Sequence, residues 1–342
     1  MIRHIDEAMV RELLPMTRAL DAVERALRAR AESRAHDVPR TAMRLPEGSL
    51  RVLAASAAEL GTLSSKVTFS GGSSSGRGYV SLIDLHTGEL RTVIESVHLS
   101  RMRTGAASGV ATRVLAREDA SRLAVLGAGS QALAQIEAVC AVRPIRTVRV
   151  WSRDAGRLRA FCARASTAVS LPVRPVASAG EAVEGADIVT LITSAREPVL
   201  EGRWLEPGQH VNAAGSNALD RREIDSDGLA RFDRIVVDAR DVARQECGDL
   251  FPLAECGTVD WARLTELGEI LIGQAPGRSS DAEITLFESH GMGVQDLYAA
   301  YLLEQAARAI DASPSLSVAG NEQRDAAERA QSPVGPWRAP AR

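Results

Sequence analysis

Of the 342 residues, 41 are basic, and all but one of these are arginine; Lys66 is the single lysine. It lies in the run Gly61-Thr62-Leu63-Ser64-Ser65-Lys66-Val67-Thr68-Phe69. A guanidinium stays protonated at any working pH, whereas an ε-amine is tuned by burial and can give or take a proton. A chain that uses arginine everywhere else and keeps one lysine marks that place for proton handling; the bland alternative is a leftover lysine on a strand edge. Arg40, after Val38-Pro39, and Arg103-Thr104 would complete a carboxylate pocket with Lys66, because the arginine fork matches a carboxylate bidentately. With so many arginines to choose from, composition alone does not single these two out.

A second constellation is Gly127-Ala128-Gly129-Ser130-Gln131-Ala132, directly after the apolar run Leu123-Ala124-Val125-Leu126. This is the Gly-x-Gly-x-x-Gly/Ala pattern of a dinucleotide site, with a strand before it and a helix after it. Gly127 permits the tight turn, Gly129 lets a pyrophosphate approach the backbone, and Ala132 packs helix on strand. The next strand ends in Trp151-Ser152-Arg153. An NAD site usually carries an acid there for the ribose hydroxyls. A hydroxyl and a guanidinium instead suit a 2′-phosphate, so NADP(H) is expected to be preferred, while Asp154 keeps NAD(H) open.

These groups need a scaffold. The length suits two domains, and 45% hydrophobic with 25% charged residues is an ordinary globular composition. A net charge of -3 and 4% aromatic residues argue against nucleic acid or an anionic membrane as partner. No apolar run reaches membrane-spanning length and the N-terminus has no signal-peptide core, so a cytoplasmic location is expected. Cys140, Cys162, Cys247 and Cys256 show no Cys-x-x-Cys spacing and read as reduced core residues. His98, His210 and His290 show no metal-ligand spacing; they read as structural, with His290 nearest the cofactor, and no metal is expected.

Helical periodicity from about Asp6 to Arg34 predicts one or two amphipathic helices. Strand-like runs follow at Leu50–Ala54, Leu63–Phe69, Tyr79–Leu85 and Leu90–Ile94, with a hairpin turn at Leu85-His86-Thr87-Gly88 and a Gly/Ser loop with a mobile tip at Ser70–Gly78. Val97–Ala116 is a helix rich in small residues, which most simply means close packing. After Asp119 strands alternate with helices (Leu123–Leu126, Val148–Trp151, Val173–Val176, Ile188–Ile192, His210–Ala213, Ile235–Val237, Glu283–Phe287), predicting an α/β fold with a parallel, doubly wound sheet. A last helix covers about Val294–Ile310, and the Ser/Pro/Ala/Arg-rich tail beyond Ala312 reads as disordered.

From about residue 20 to 310 the chain resembles the ornithine cyclodeaminase/μ-crystallin family. The resemblance is carried by Val38-Pro39-Arg40, Gly61 to Lys66, Leu99 to Ser108, Gly127 to Ala132, Gly208 to Gly215 leading into Arg222-Glu223-Ile224-Asp225, and Ile284 to Gly291 with Gln295-Asp296. It implies a homodimer in which residues 119–295 form a Rossmann NAD(P)-binding domain. Residues 1–118, completed by 296–312, would form an α+β substrate and dimerisation domain, with 313–342 as the tail. It also implies that Arg40, Lys66 and Arg103 hold a substrate carboxylate and that Ser75 falls near a substrate hydroxyl position. Thr104 would contact cofactor phosphate, Thr193 and Ser194 the adenosine side, and Gly291 the nicotinamide.

One departure bears on the reaction. Cyclodeaminases carry an aspartate where this chain has Asn217, and asparagine can orient a nitrogen but cannot act as a base. Asp220 and Glu223, close by in sequence, read as a salt-bridged loop. The expected activity is therefore NADPH-preferring reduction of a C=N bond α to a carboxylate in a small imino acid. Lys66 would be the proton donor and Asn217 would orient the nitrogen. An ammonia-releasing cyclodeaminase and a non-catalytic NADPH binder are the rivals.

Overall fold

The computed structural model describes residues 2–71 and 74–312; the side chains of Ser74 and Ser75 lie outside the described residues, as does the tail beyond residue 312. Two sheets organise it. The first is six-stranded, in the order β1 (Arg3–Ile5), β6 (Leu90–Glu95), β5 (Ser74–Asp84), β4 (Thr62–Gly71), β3 (Gly48–Ala57) and β2 (Ala35–Leu45). Strands β2 to β6 form an antiparallel meander, and β1 runs parallel to β6. The second sheet is eight-stranded and wholly parallel. Its order is β13 (Thr265–Glu266), β12 (Arg234–Val237), β14 (Thr285–Glu288), β11 (His210–Ala213), β10 (Ile188–Leu191), β7 (Arg122–Leu126), β8 (Thr147–Trp151) and β9 (Val173–Pro175). Strand order reverses between β7 and β10, the kind of switch point where open α/β sheets bind ligands.

The expected N-terminal helices are α1 (Glu7–Leu13) and α2 (Met16–Ala31), and α2 buries Ala19, Leu20, Val23, Ala26 and Leu27 along one stripe. The small-residue helix is α3 (Val97–Leu115). A Cβ on Gly105 would lie 2.4 Å from the Ala134 carbonyl oxygen, and one on Gly109 would lie 2.6 Å from Leu20 Cδ2. Close packing against α2 and α4 (Ala132–Val142) is thus the reason for its small residues. The parallel sheet is wound by α4, α5 (Ala155–Val169), α6 (Ala179–Val183) and α7 (Ser226–Leu229), then α8 (Arg240–Glu246), α9 (Phe251–Glu255) and α10 (Leu267–Leu271). The last helix, α11 (Gly293–Ala312), returns to pack on α2 and on β2 to β5. No described helix is long and apolar enough to cross a membrane.

The structure corrects several expectations. Strands β1, β2 and β13 were not anticipated, and β2 carries Arg40. Strands β4 and β5 continue through most of Ser70–Gly78, so that segment is hairpin rather than loop; Gly48 pairs with Gly71 there, and a Cβ on either would strike backbone atoms. Strand β14, the last of the sheet in sequence, lies between β11 and β12. Cys162 and Cys247 are buried and Cys140 is half-buried, but Cys256 is exposed; all four are free thiols.

Candidate active site

Lys66 lies on β4, paired with Leu53 of β3, and its side chain is almost wholly buried. Its Nζ donates to Ser100 Oγ (2.6 Å) and to Asp296 Oδ1 (2.8 Å). Burial lowers the ammonium pKa to about 8; Asp296 pulls it up, while Arg103 and Arg40 push it down. Asp296 occupies the first turn of α11, where the helix dipole favours an anion. Burial opposes its ionisation, yet Arg103 and Lys66 hold its pKa below the usual carboxylate range. Arg103 Nε donates to the same Oδ1 (3.1 Å) and its Nη1 to Gln295 Oε1 (3.2 Å), whereas Asp296 Oδ2 is buried without a partner.

Arg40 reaches this place because β2 is irregular between Val38 and Thr41. Such bulges re-aim a side chain. Its Nη1 donates to Glu246 Oε2 (2.5 Å) and its Nη2 to the His290 carbonyl (2.9 Å). Arg40, Lys66, Arg103 and Thr104 line one face of a cavity of about 400 Å³, and Gly129, Ser130 and Gln131 line another. Thr193, Ser194, Asn217 and Gly291 complete its wall. Gly127, Ser152 and Arg153 face an adjoining cavity of about 590 Å³, with Gly129, Thr193 and Ser194 shared between the two. Ala132 lines neither cavity; it is the buried first residue of α4. The Ser75 side chain lies outside the described residues.

The loop after β7 fits a dinucleotide. A Cβ on Gly127 (φ +119°) would lie 2.4 Å from the Ile192 carbonyl oxygen, so only glycine makes the turn. A Cβ on Gly129 would meet nothing within 4 Å and would instead fill the cleft that a pyrophosphate needs. No side chain caps the N-terminus of α4, which leaves its amide groups free to meet phosphate oxygens. At the end of β8, Arg153 is exposed and makes no ion pair among the described residues. Asp154 instead accepts from the amides of Gly156 and Arg157 to cap α5.

Behind the cavity lies a buried acidic layer. Asp220 forms the expected surface pair, with Arg196 at 3.2 Å. Glu223 does not: it is fully buried and accepts from Thr193 N, Thr193 Oγ1, Gly215 N and Ser216 N. It thereby ties the loop bearing Asn217 to the loop after β10. Burial raises its pKa to about 7 against those donors. Asn217 makes no hydrogen bond to described residues, and its amide faces the cavity free. Asp238 Oδ2 accepts from the amides of His290 (2.8 Å) and Gly291 (2.7 Å), fixing the turn at Gly291 (φ +82°). A Cβ there would come within 2.3 Å of Arg103 Nη1.

Cys247, Glu288 and His290 each bring one ligand-type atom within 4.8 Å of the others, a grouping that no sequence spacing announces. Burial pushes the Glu288 carboxyl and the Cys247 thiol well above their usual ranges, which works against the ionised states that metal ligation uses. His210, between Thr285 Oγ1 and Asn212 Oδ1, is driven by burial to a pKa of about 3 and is a neutral core residue.

Sequence reasoning missed Asp296 as the partner of Lys66, although Gln295-Asp296 stood among the matching motifs. It also missed Ser100, Glu246, Arg51 and Arg221. Arg51 pairs with Thr68 on the sheet face of Lys66, a placement that only the register of β3 on β4 gives.

The model of the ornithine cyclodeaminase/mu-crystallin family matches residues 3–310. A Delta(1)-pyrroline-2-carboxylate reductase of Bacillus cereus is 39% identical over 231 residues, 67% of this chain and 71% of that one. The ketimine reductase mu-crystallin of Mus musculus is 37% identical over 262 residues, 75% and 80% of the two chains. The structure of Thermococcus litoralis Delta(1)-pyrroline-2-carboxylate reductase in complex with NADH and L-proline superposes with a TM-score of 0.86 at 32% identity, covering 91% of this chain and 98% of that one. The chain belongs to the ornithine cyclodeaminase/mu-crystallin family.

Proposed function

We propose that this protein is an NAD(P)H-dependent reductase of C=N bonds α to a carboxylate, working reversibly as an imino-acid reductase or amino-acid dehydrogenase. The observation that carries the reading is Lys66. The chain's single lysine lies in the cavity beside Arg40 and Arg103, with an ammonium pKa of about 8 that suits proton exchange near neutrality.

A reduced nicotinamide held along Gly127–Gln131 and facing Gly291 would supply the hydride. The substrate carboxylate takes the inward donors of Arg40 and Arg103, whose other donors are fixed by Glu246, His290, Gln295 and Asp296. Two of the three Nζ protons are spoken for by Ser100 and Asp296, which leaves the third for the imine nitrogen. Transfer of that proton to nitrogen makes the carbon electrophilic. Asp296, still ionised beside Arg103, stabilises Lys66 when it is recharged. Asn217 orients the nitrogen and cannot remove a proton from it, which disfavours the amine-attack and ammonia-loss steps of a cyclodeaminase.

Ser152 and Arg153, which has no ion pair among the described residues, support NADPH over NADH, since Asp154 is engaged as a helix cap. Residues 1–118 with 296–312 serve as the substrate domain and 119–295 as the cofactor domain. The outer face of the first sheet, where Met43, Val67 and Tyr79 are about half exposed opposite the Lys66 face, supports a homodimer. The test is NADPH oxidation with pyrroline-2-carboxylate or piperideine-2-carboxylate, set beside ornithine plus NAD. Ketimine-dependent oxidation supports the reading; ammonia and proline from ornithine, with no ketimine turnover, would replace it with the lyase.

A further inference from the structure

Arg40 stands on β2 of the first sheet and Arg103 on α3, yet both rest on a turn that belongs to the parallel sheet. That turn is His290-Gly291, shortly after β14. Arg40 Nη2 donates to the His290 carbonyl (2.9 Å), and Arg103 lies so close to Gly291 that a Cβ there would come within 2.3 Å of its Nη1. The turn is held by a side chain that does not line the cavity: Asp238, directly after β12 and almost wholly buried. Its Oδ2 accepts from the amides of His290 (2.8 Å) and Gly291 (2.7 Å). Its Oδ1 accepts from the Ala239 amide (2.9 Å) and lies 3.6 Å from His290 Nδ1. Ala239 is the N-cap of α8, whose last residue, Glu246, accepts from Arg40 Nη1 (2.5 Å). Asp238 therefore stands behind both holds on Arg40. Burial opposes its ionisation, but the His290 ring and the two amides keep its carboxyl below the usual carboxylate range.

We infer that Asp238 is a positioning residue that sets the Arg40 jaw of the carboxylate clamp in register with the cofactor wall at Gly291. The inference rests on the reductase reading of the same cavity. Hydride transfer needs the donor and acceptor carbons held at close approach, and small misplacements are costly. The clamp is carried by one sheet and the cofactor by the other, so the two need a shared reference. Asp238 supplies it, because the two adjacent amides on its Oδ2 belong to the residue that accepts from Arg40 and to the residue that walls the cavity. Asparagine cannot reproduce this, since it offers one acceptor oxygen and one amide donor. Turned one way, its donor faces the amides of His290 and Gly291; turned the other way, it faces the amide of Ala239. Either orientation loosens one of the two holds on Arg40 and leaves the cavity lining unchanged.

The experiment is a double-mutant cycle on wild type, Asp238→Asn, Arg40→Lys and the double variant. It reads kcat and KM for pyrroline-2-carboxylate and the Kd of NADPH measured without substrate. Asp238→Asn should raise the ketimine KM about ten- to hundredfold, the scale of one charge-assisted hydrogen bond, and lower kcat, while the NADPH Kd stays within about threefold of wild type. Arg40→Lys keeps the charge but cannot span both holds, so in that background Asp238→Asn should change KM by less than about threefold. A purely structural Asp238 would weaken substrate and cofactor alike, or would cost the same with and without Arg40; either result overturns the inference. Should Asp238→Asn fail to fold, Asp238→Ser, which keeps a small acceptor, takes its place in the cycle. If wild type reduces no ketimine, the reductase reading itself fails, and crystal structures of wild type and variant decide the positioning alone. Arg40 displaced from the His290 carbonyl upholds it, and an unmoved Arg40 rejects it.

Discussion

Replacing Asp296 by asparagine removes the one anion among the described residues in contact with Lys66 while leaving Arg103 and Arg40 to repel it. At 2.8 Å the bare attraction is several kcal/mol even at an effective dielectric near 20. Because Arg103 shares the same oxygen and burial works against both charges, the usual effect of one close opposite charge, about 1–3 pKa units, is the better guide. Reduction needs protonated Lys66, so wild-type kcat/KM should be level at lower pH and fall as pH rises through about 8. In Asp296→Asn the same fall should move about 1–3 units towards acid. The assay is the initial rate of NADPH oxidation with one cyclic ketimine across pH, for both proteins. Comparing the two profiles cancels the ionisation of the substrate itself. Circular dichroism and cofactor affinity establish that the variant is folded. An unmoved profile in a folded variant would refute the claim that Lys66, held by Asp296, is the proton donor.

Lys66→Arg keeps the charge and the carboxylate contact but cannot release a proton near neutrality, so kcat should fall by about 10²–10⁴-fold while cofactor affinity holds; steady-state kinetics with cofactor titration checks both. Arg153→Ser should raise KM for NADPH while leaving that for NADH nearly unmoved, and equal changes for the two would remove Arg153 from cofactor selection. Glu223 has a folded pKa of about 7, above its ordinary value of 4.5. The native state therefore holds a proton that the unfolded chain releases, and this contribution, full below about 4.5, is lost as pH rises through about 7. It amounts to about 3 kcal/mol at most. Urea unfolding of wild type and Glu223→Gln across that window should show a steeper fall in wild type than in the variant. Gly291→Ala forces a side chain into a left-handed turn and against Arg103, so it should weaken substrate binding more than cofactor binding in calorimetric titrations.

The parallel sheet was legible because its strands are short apolar runs and because Gly127-Ala128-Gly129 falls between one of them and a helix. Strand β2 was not, since Pro39 and the irregularity around Arg40 break the alternation that marks a strand. The Ser/Gly stretch at 70–78 has little strand propensity of its own and is drawn into the hairpin by pairing with β3. Lys66 could be singled out by its rarity, but its partner Asp296 is 230 residues away, and no local pattern encodes a contact made when α11 folds back. Arg51 was hidden among the other arginines, and only strand register puts it on the face of Lys66. Glu223 resembled a surface acid because burial is a property of the loops that close over it.

The most direct test of the central claim is transfer of label from a 4-deuterated NADPH to pyrroline-2-carboxylate or an acyclic imino acid, followed by mass spectrometry and NMR of the amino-acid product. The account predicts deuterium at Cα of the product, with one face of the nicotinamide giving it up and oxidised cofactor accumulating in step. A product without deuterium, or ammonia released from a diamino acid while the cofactor pool stays reduced, would contradict it.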